Sequence, residues 1–360
     1  MLEFRGISPI VRRVVLRPDS DCTDRVNAVL SKLDISETEK PFPFTAPVSV
    51  NAAWLIPKHC GPLEAEDFDV ILLYFHGGGY CVGYERQALA SFSYVFNEMR
   101  NRYPNKKVAV LSVDYPLAPE NPFEVSLASA LTSYAWLLEA TRKNGTLKKQ
   151  APRIVVGGDS AGGNLTLALG LLLQRQFQSN QKRKDSREKV KLQQPTGMLL
   201  VSPWMDAGEI VEGTTATISD EKTHDYITVG ALNRFNESIL AASKNLGLKS
   251  PDVSLLCPKN SPIHLIRGLV LHEESKVKKT NDESEENATS KTSRILVVSG
   301  TRELFYAANR DFVEKARSAG LNVEFVEGDG QPHIYPLLLP FFEVPAKKAL
   351  GRIADFLCIQ

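Results

Sequence analysis

Ser160 lies in the pentapeptide Gly158-Asp159-Ser160-Ala161-Gly162, between the apolar run Arg153-Ile154-Val155-Val156-Gly157 and an apolar helical stretch from Asn164 to about Phe177. A strand that turns sharply into a helix at such a sequence exposes a serine hydroxyl, and the flanking glycines remove the steric obstacle to the turn. A hydroxyl at its free pKa is a poor nucleophile. The chain must therefore also supply a general base, a carboxylate to orient that base, and donors for an oxyanion.

Donors are expected from Tyr74-Phe75-His76-Gly77-Gly78-Gly79-Tyr80, which ends the apolar run from Val70 to Phe75. Glycines without Cβ atoms let backbone N–H groups approach a substrate carbonyl. The amides of Gly77 and Gly78, with that of Ala161 just after the serine, are assigned to the oxyanion hole. Losing one such donor costs roughly 3 kcal/mol of transition-state stabilisation. His76 is read as a brace for this loop and not as a proton carrier.

In this topology the base follows the nucleophile and the acid in the chain. Of the six histidines, His59 and His76 precede Ser160, His224 and His264 lie between the fifth and sixth predicted strands, and His272 opens a charged stretch. His333 sits in the turn-rich Glu327-Gly328-Asp329-Gly330-Gln331-Pro332-His333, between a predicted strand and the last helix, which suits a base delivered from a loop. Glu303 follows the apolar run from Arg294 to Gly300 and is the candidate acid. Its position at the carboxyl end of a strand would bring it to the crevice that holds the nucleophile. Glu303 also suits the positive end of a helix dipole, and Asp329 is the competing acid, ranked second because it would have to fold back over a tight glycine turn.

Five strings in order carry a family resemblance: His76 to Gly79, Asp114-Tyr115-Pro116-Leu117-Ala118-Pro119-Glu120, Gly158 to Asn164, Ser202-Pro203-Trp204-Met205-Asp206, and Pro332-His333. From about residue 50 to the end the chain resembles the hormone-sensitive-lipase branch of the α/β-hydrolases. His333-Ile334-Tyr335-Pro336-Leu337 is also similar to fungal members of the sterol-acetate-deacetylase type. The chain departs from the family pattern at Pro116, where Arg is common, and after Glu303, where Leu-Arg-Asp is common and Leu304-Phe305-Tyr306 stands here. Glu in place of Asp is an accepted variant of the catalytic acid.

The resemblance implies an α/β-hydrolase fold, with a mostly parallel, doubly wound sheet flanked by helices and a helical cap. It implies a serine carboxylic-ester hydrolase that forms an acyl-enzyme on short- or medium-chain esters of an apolar alcohol, a sterol acetate among them. No metal or organic cofactor is required. A non-catalytic small-molecule receptor on the same fold is the alternative, usually marked by loss of the histidine that this chain keeps. Amide or lactone hydrolysis by the same residues stays open.

Composition agrees with an ordinary enzyme: 360 residues and 43% hydrophobic content suffice for one large domain. With 43 basic and 42 acidic side chains the net charge is +1, so no global field recruits nucleic acid or an anionic membrane. Cys22, Cys60, Cys81, Cys257 and Cys358 have neither metal-ligand nor disulfide spacing and read as reduced thiols, Cys81 as a small buried residue near the glycine loop. No signal peptide or membrane-spanning run is recognised, which makes an intracellular, cytoplasmic location the expectation and the glycosylation-like sequons chance matches. Oligomeric state and peripheral membrane association are left open.

Apolar runs alternate with helical periodicity as a doubly wound sheet requires. Strands are expected at 48–56, 70–75, 108–113, 153–157, 197–202, 294–299 and 323–326, and helices at 86–102, 123–142, 165–177, 304–319 and 341–357. The mixed-charge segment 178–194 reads as a solvated surface insertion and 273–292 as disordered, having too little apolar surface to offset the entropy of ordering. The resemblance places the cap in residues 1 to about 45 and about 207 to 265. Tyr226, Ile227, Leu232, Phe235, Ile239 and Leu240 give the latter an apolar face, lining a pocket or packing on the body. Tyr80, Tyr84 and Trp204 are candidate pocket walls for a small-molecule ester.

Overall fold

The computed structural model describes residues 9–31, 45–60, 64–142, 151–182 (side chains to 179), 192–207, 225–245, 253–270 and 294–359. Within them eight strands form one sheet: β1 (Ile10–Leu16), β2 (Val50–Ile56), β3 (Val70–Phe75), β4 (Val108–Asp114), β5 (Arg153–Asp159), β6 (Gly197–Val201), β7 (Arg294–Gly300) and β8 (Asn322–Gly328). Their order is β1-β2-β4-β3-β5-β6-β7-β8. The pairs β1–β2 and β2–β4 are antiparallel, and every pair from β4 to β8 is parallel.

Central strands of a parallel sheet are covered on both faces, so they read as continuous apolar runs. In β3 all six residues are buried. Ile71, Leu73 and Phe75 face the core shared with α1 (Ser20–Leu30), α3 (Phe123–Ala140), α4 (Ala161–Lys182) and α8 (Tyr306–Ser318). Val70, Leu72 and Tyr74 face the core shared with α2 (Leu89–Arg102) and α9 (Glu343–Cys358). The period of two thus joins one strand to both helical layers. Three further helices, α5 (Val229–Asn245), α6 (Val253–Leu256) and α7 (Ile263–Ile266), lie between β6 and β7 in the chain.

The structure revises several boundaries. Ile10–Leu16 falls in the amino-terminal segment assigned to the cap, yet it pairs along the whole of β2 as a sheet edge. Its sequence, Ile-Val-Arg-Arg-Val-Val-Leu, lacks clean alternation, and six of its seven residues are not buried, so the usual strand signal is missing. The following α1 buries Cys22, Val26, Val29 and Leu30, is capped by Asp19, and is tied to α3 by Arg25 and Glu139 at 2.7 Å. Helix α4 begins directly after Ser160 and runs to Lys182, into the segment read as a surface insertion. The far end of that segment is packed as well: Gln194 is buried, and the Tyr134 hydroxyl donates to the Gln193 carbonyl at 2.8 Å. Residues 183–191, the segment 273–292 and parts of the expected cap (208–224 and 246–252) lie outside the described residues.

Candidate active site

Parallel strands end at one edge of the sheet, and four adjacent ends carry the candidate residues: Ser160 after β5, Ser202 after β6, Glu303 after β7 and His333 after β8. Main-chain hydrogen bonds staple these ends together. The Ser160 N–H donates to Val201 O at 2.9 Å, Ser202 N–H to Val298 O at 2.7 Å, and Thr301 N–H to Gly328 O at 2.9 Å. Each turn is therefore registered to its neighbour.

Ser160 has φ of +51°, a left-handed conformation that costs a non-glycine residue about 1–3 kcal/mol. The surroundings hold it there, because its carbonyl accepts from Asn164 N–H at 3.1 Å and Trp204 N–H at 3.0 Å. Gly162 permits the close approach of α4 to β3: a Cβ at this position would stand 2.0 Å from the Phe75 carbonyl oxygen. Asn164 anchors the turn from beneath, with its amide donating to the carbonyls of Trp204 and Leu256 and its oxygen accepting from the Tyr80 hydroxyl.

Glu303 is buried and surrounded by donors. Oε1 accepts from the Ser299 hydroxyl and from Asn309 Nδ2 at 2.9 Å, and Oε2 from the Ser202 hydroxyl at 2.6 Å and Gly300 N–H at 3.2 Å. An ionised carboxylate only accepts, so four donors fix its orientation. His333 Nδ1 lies 3.7 Å from Glu303 Oε2, with both side chains shielded from solvent. That is an ion-pair separation and longer than a hydrogen bond. Among the described residues neither ring nitrogen of His333 has a hydrogen-bond partner, so Nε2 is not bonded to the Ser160 hydroxyl in this arrangement. Such bonds are often long in an unliganded site and tighten around substrate.

The imidazole is flanked by the edge-on Phe305 ring at 5.0 Å and by Tyr226 at 6.2 Å between centroids. Its main chain is held by side chains far away in sequence: Asp225 accepts from His333 N–H at 3.2 Å and Ser202 Oγ from Ile334 N–H at 3.0 Å. Asp329, the competing acid, is exposed.

The candidate oxyanion loop differs from expectation at one residue. Gly77 N–H donates to Asp159 Oδ1 at 3.0 Å and is therefore not free for a substrate. Gly78 and Gly79, with φ of +118° and +62°, have no protein acceptor for their amides among the described residues. Ala161 N–H, at the first position of α4, has no acceptor within its helix. The amides left as candidate oxyanion donors are thus those of Gly78, Gly79 and Ala161. His76 Nδ1 lies 2.8 Å from Gly77 O, which can only accept, so Nδ1 carries the proton. Burial lowers the His76 pKa to about 4, consistent with a neutral brace stacked on Tyr115 at 4.3 Å.

Two of the three candidate pocket walls are also revised. Tyr80 is 1% exposed, with its ring edge-on to Phe123 and its hydroxyl bonded to Asn164, so it supports the turn from inside. Trp204 is buried and stacked on Phe305 at 6.0 Å, which places it behind the ring that faces His333. Tyr84 is exposed, with the Arg86 guanidinium 6.0 Å from its ring centroid. Phe235 of α5 lies directly against the loop: a Cβ on Gly79 would meet its ring at 2.5 Å. On the same helix Ile239 and Ala242 are buried in the main core, so the apolar face packs on the body and also reaches the glycine loop. Ser299, Asn309 and Asp225 were not singled out by the sequence, and Ser202 stood in a family string without an assigned role, since only the fold reveals which hydroxyl, amide or carboxylate reaches a distant loop.

A sheet of this order, with a serine turn after β5 and a glycine loop after β3, defines a recognisable class of α/β protein. A family model described as alpha/beta hydrolase fold matches residues 72–337, and the chain belongs to that family. Among relatives, an esterase from Acinetobacter venetianus is 24% identical over 287 residues, covering 79% of this chain and 74% of its own. A protein named probable carboxylesterase 6 from Arabidopsis thaliana is 33% identical over 136 residues, covering 33% of this chain and 39% of its own length. The alignment thus spans well under half of the Arabidopsis protein. A solved esterase from the bacterial hormone-sensitive lipase family shares the fold with a TM-score of 0.59 at 22% identity, covering 95% of this chain and 99% of that one.

Proposed function

We propose that this protein is a serine carboxylic-ester hydrolase of the hormone-sensitive-lipase branch. The observation that carries the reading is the approach of His333 Nδ1 to Glu303 Oε2, 3.7 Å apart and buried, at the sheet edge where Ser160 is held in a left-handed turn. Esterase relatives and the shared fold support it.

In this mechanism the Ser160 oxygen attacks the ester carbonyl while His333 Nε2 takes its proton. Glu303 stabilises the imidazolium, and the Gly78, Gly79 and Ala161 amides hold the oxyanion of the tetrahedral intermediate. Collapse breaks the bond to the alcohol, which leaves with the proton from His333. A water molecule, deprotonated by the same imidazole, then attacks the acyl-enzyme and releases the acid. Phe305, Phe235 and Tyr226 around His333 and the glycine loop favour an apolar ester with a short or medium acyl group, a class that includes sterol acetates.

Labelling with a fluorophosphonate probe tests the nucleophile, with Ser160→Ala as the control. Labelling of the parent and none of the variant is expected; an unlabelled parent would instead favour a binding-only pocket. A panel of acetyl to palmitoyl esters tests the acyl preference, and a preference for emulsified long-chain triglyceride would overturn it.

A further inference from the structure

The turns that carry Glu303 and His333 share one external anchor. Asp225 Oδ2 accepts from Leu304 N–H at 3.0 Å, and its Oδ1 accepts from His333 N–H at 3.2 Å. One carboxylate thus binds the main-chain amide just after the candidate acid and the amide of the candidate base, 79 and 108 residues further along the chain. Charge-assisted hydrogen bonds of this kind are stronger than neutral ones.

Asp225 also stands four residues before α5, the helix whose Phe235 lies on Gly79. The segment that seats this helix on the glycine loop is therefore the one that holds the two catalytic turns. We propose that Asp225 is a positioning residue, a clamp that sets the separation of Glu303 and His333 from outside both loops. This inference rests on the hydrolase reading for its kinetic consequence and on the geometry alone for its structural one. Asp225 reaches these two turns through their main-chain N–H groups. It acts through the backbone, where a misplacement of about 1 Å can cost on the order of a hundredfold in rate.

The test compares the full-length parent with Asp225→Ala and Asp225→Asn on p-nitrophenyl acetate, alongside hydrogen exchange of peptides covering 300–306 and 329–336. Asp225→Ala is expected to lower kcat about 10- to 100-fold with KM within about twofold, and to speed exchange in both peptides together. Asp225→Asn, whose single amide oxygen cannot serve both N–H groups fully, is expected to fall between the two and covers the case in which the alanine variant does not fold. An unchanged kcat in a folded variant, or a loss carried by KM, overturns the clamp. If the parent itself neither labels nor hydrolyses esters, the hydrolase reading fails separately, and exchange decides the clamp: faster in both peptides supports it, unchanged in either overturns it.

Discussion

The Gly77 amide donates to Asp159 Oδ1 at 3.0 Å, which ties the glycine loop after β3 to the residue just before Ser160. The glycine loop and the turn that carries Ser160 are thus tied together by one carboxyl group. Tyr74 donates to the same oxygen at 2.6 Å, and burial raises the Asp159 pKa to about 6. Asp159→Ala leaves both donors without a partner inside the protein. Loss of about 1–3 kcal/mol of stability and at least tenfold in kcat is expected, read by thermal melting and ester kinetics. Unchanged kcat in a folded variant would mean that the loop needs no such tie.

Asp159 and His76 should oppose each other in the pH dependence of stability. Asp159 has a folded pKa above its ordinary value of 3.8, so its contribution is full below about 4 and is lost as pH rises toward 6. His76 has a folded pKa of about 4, below its ordinary 6.5, so its contribution is full above about 6.5 and is lost as pH falls toward 4. The two windows overlap and largely cancel. Melting temperature followed from pH 4 to 7 should therefore rise more steeply with pH in Asp159→Asn than in the parent, and should fall with pH in His76→Gln. Identical slopes in all three proteins would refute the compensation.

Glu303→Gln keeps the size of the side chain but removes the charge that faces His333 at 3.7 Å. A fall of about a thousandfold or more in kcat is expected in steady-state kinetics. Ser202→Ala removes the donor to Glu303 Oε2 and the acceptor for Ile334 N–H, and a smaller loss of about tenfold is expected. A loss in Glu303→Gln no larger than in Ser202→Ala would point to another acid.

Gly300 lies where the loops that carry Glu303 and His333 cross. A Cβ there would stand 2.2 Å from the Gln331 carbonyl oxygen, which is backbone and cannot rotate away. Gly300→Ala is expected to cost about 1–3 kcal/mol in denaturant unfolding and to lower kcat by separating the two loops. Full activity would show that the crossing has slack.

Phe235 covers Gly79 from the side of α5. Phe235→Ala is expected to raise kcat/KM for hexanoyl relative to acetyl esters several-fold, because the removed ring opens space beside Gly79. Its stability loss should stay below the roughly 3–5 kcal/mol of a fully buried Phe, since this ring is only half-buried. An unchanged acyl preference would place the chain-length limit elsewhere.

Alternating apolar runs and helical periodicity were enough to name seven of the eight strands and the doubly wound plan, because central parallel strands are hydrophobic on both faces. The candidate residues also stood out locally: Ser160 between glycines after a strand, three glycines after another, and Glu303 and His333 near the ends of two more. The tertiary structure decided what depends on contacts between distant residues. It placed Ile10–Leu16 as an edge strand, gave the Gly77 amide to Asp159, turned Tyr80 and Trp204 inward, and gathered Ser202, Asn309 and Asp225 around Glu303 and His333. Period and spacing report on neighbours along the chain. A hydrogen bond spanning 108 residues is set by how the strands are ordered in the sheet, and nothing local to Asp225 or His333 encodes it.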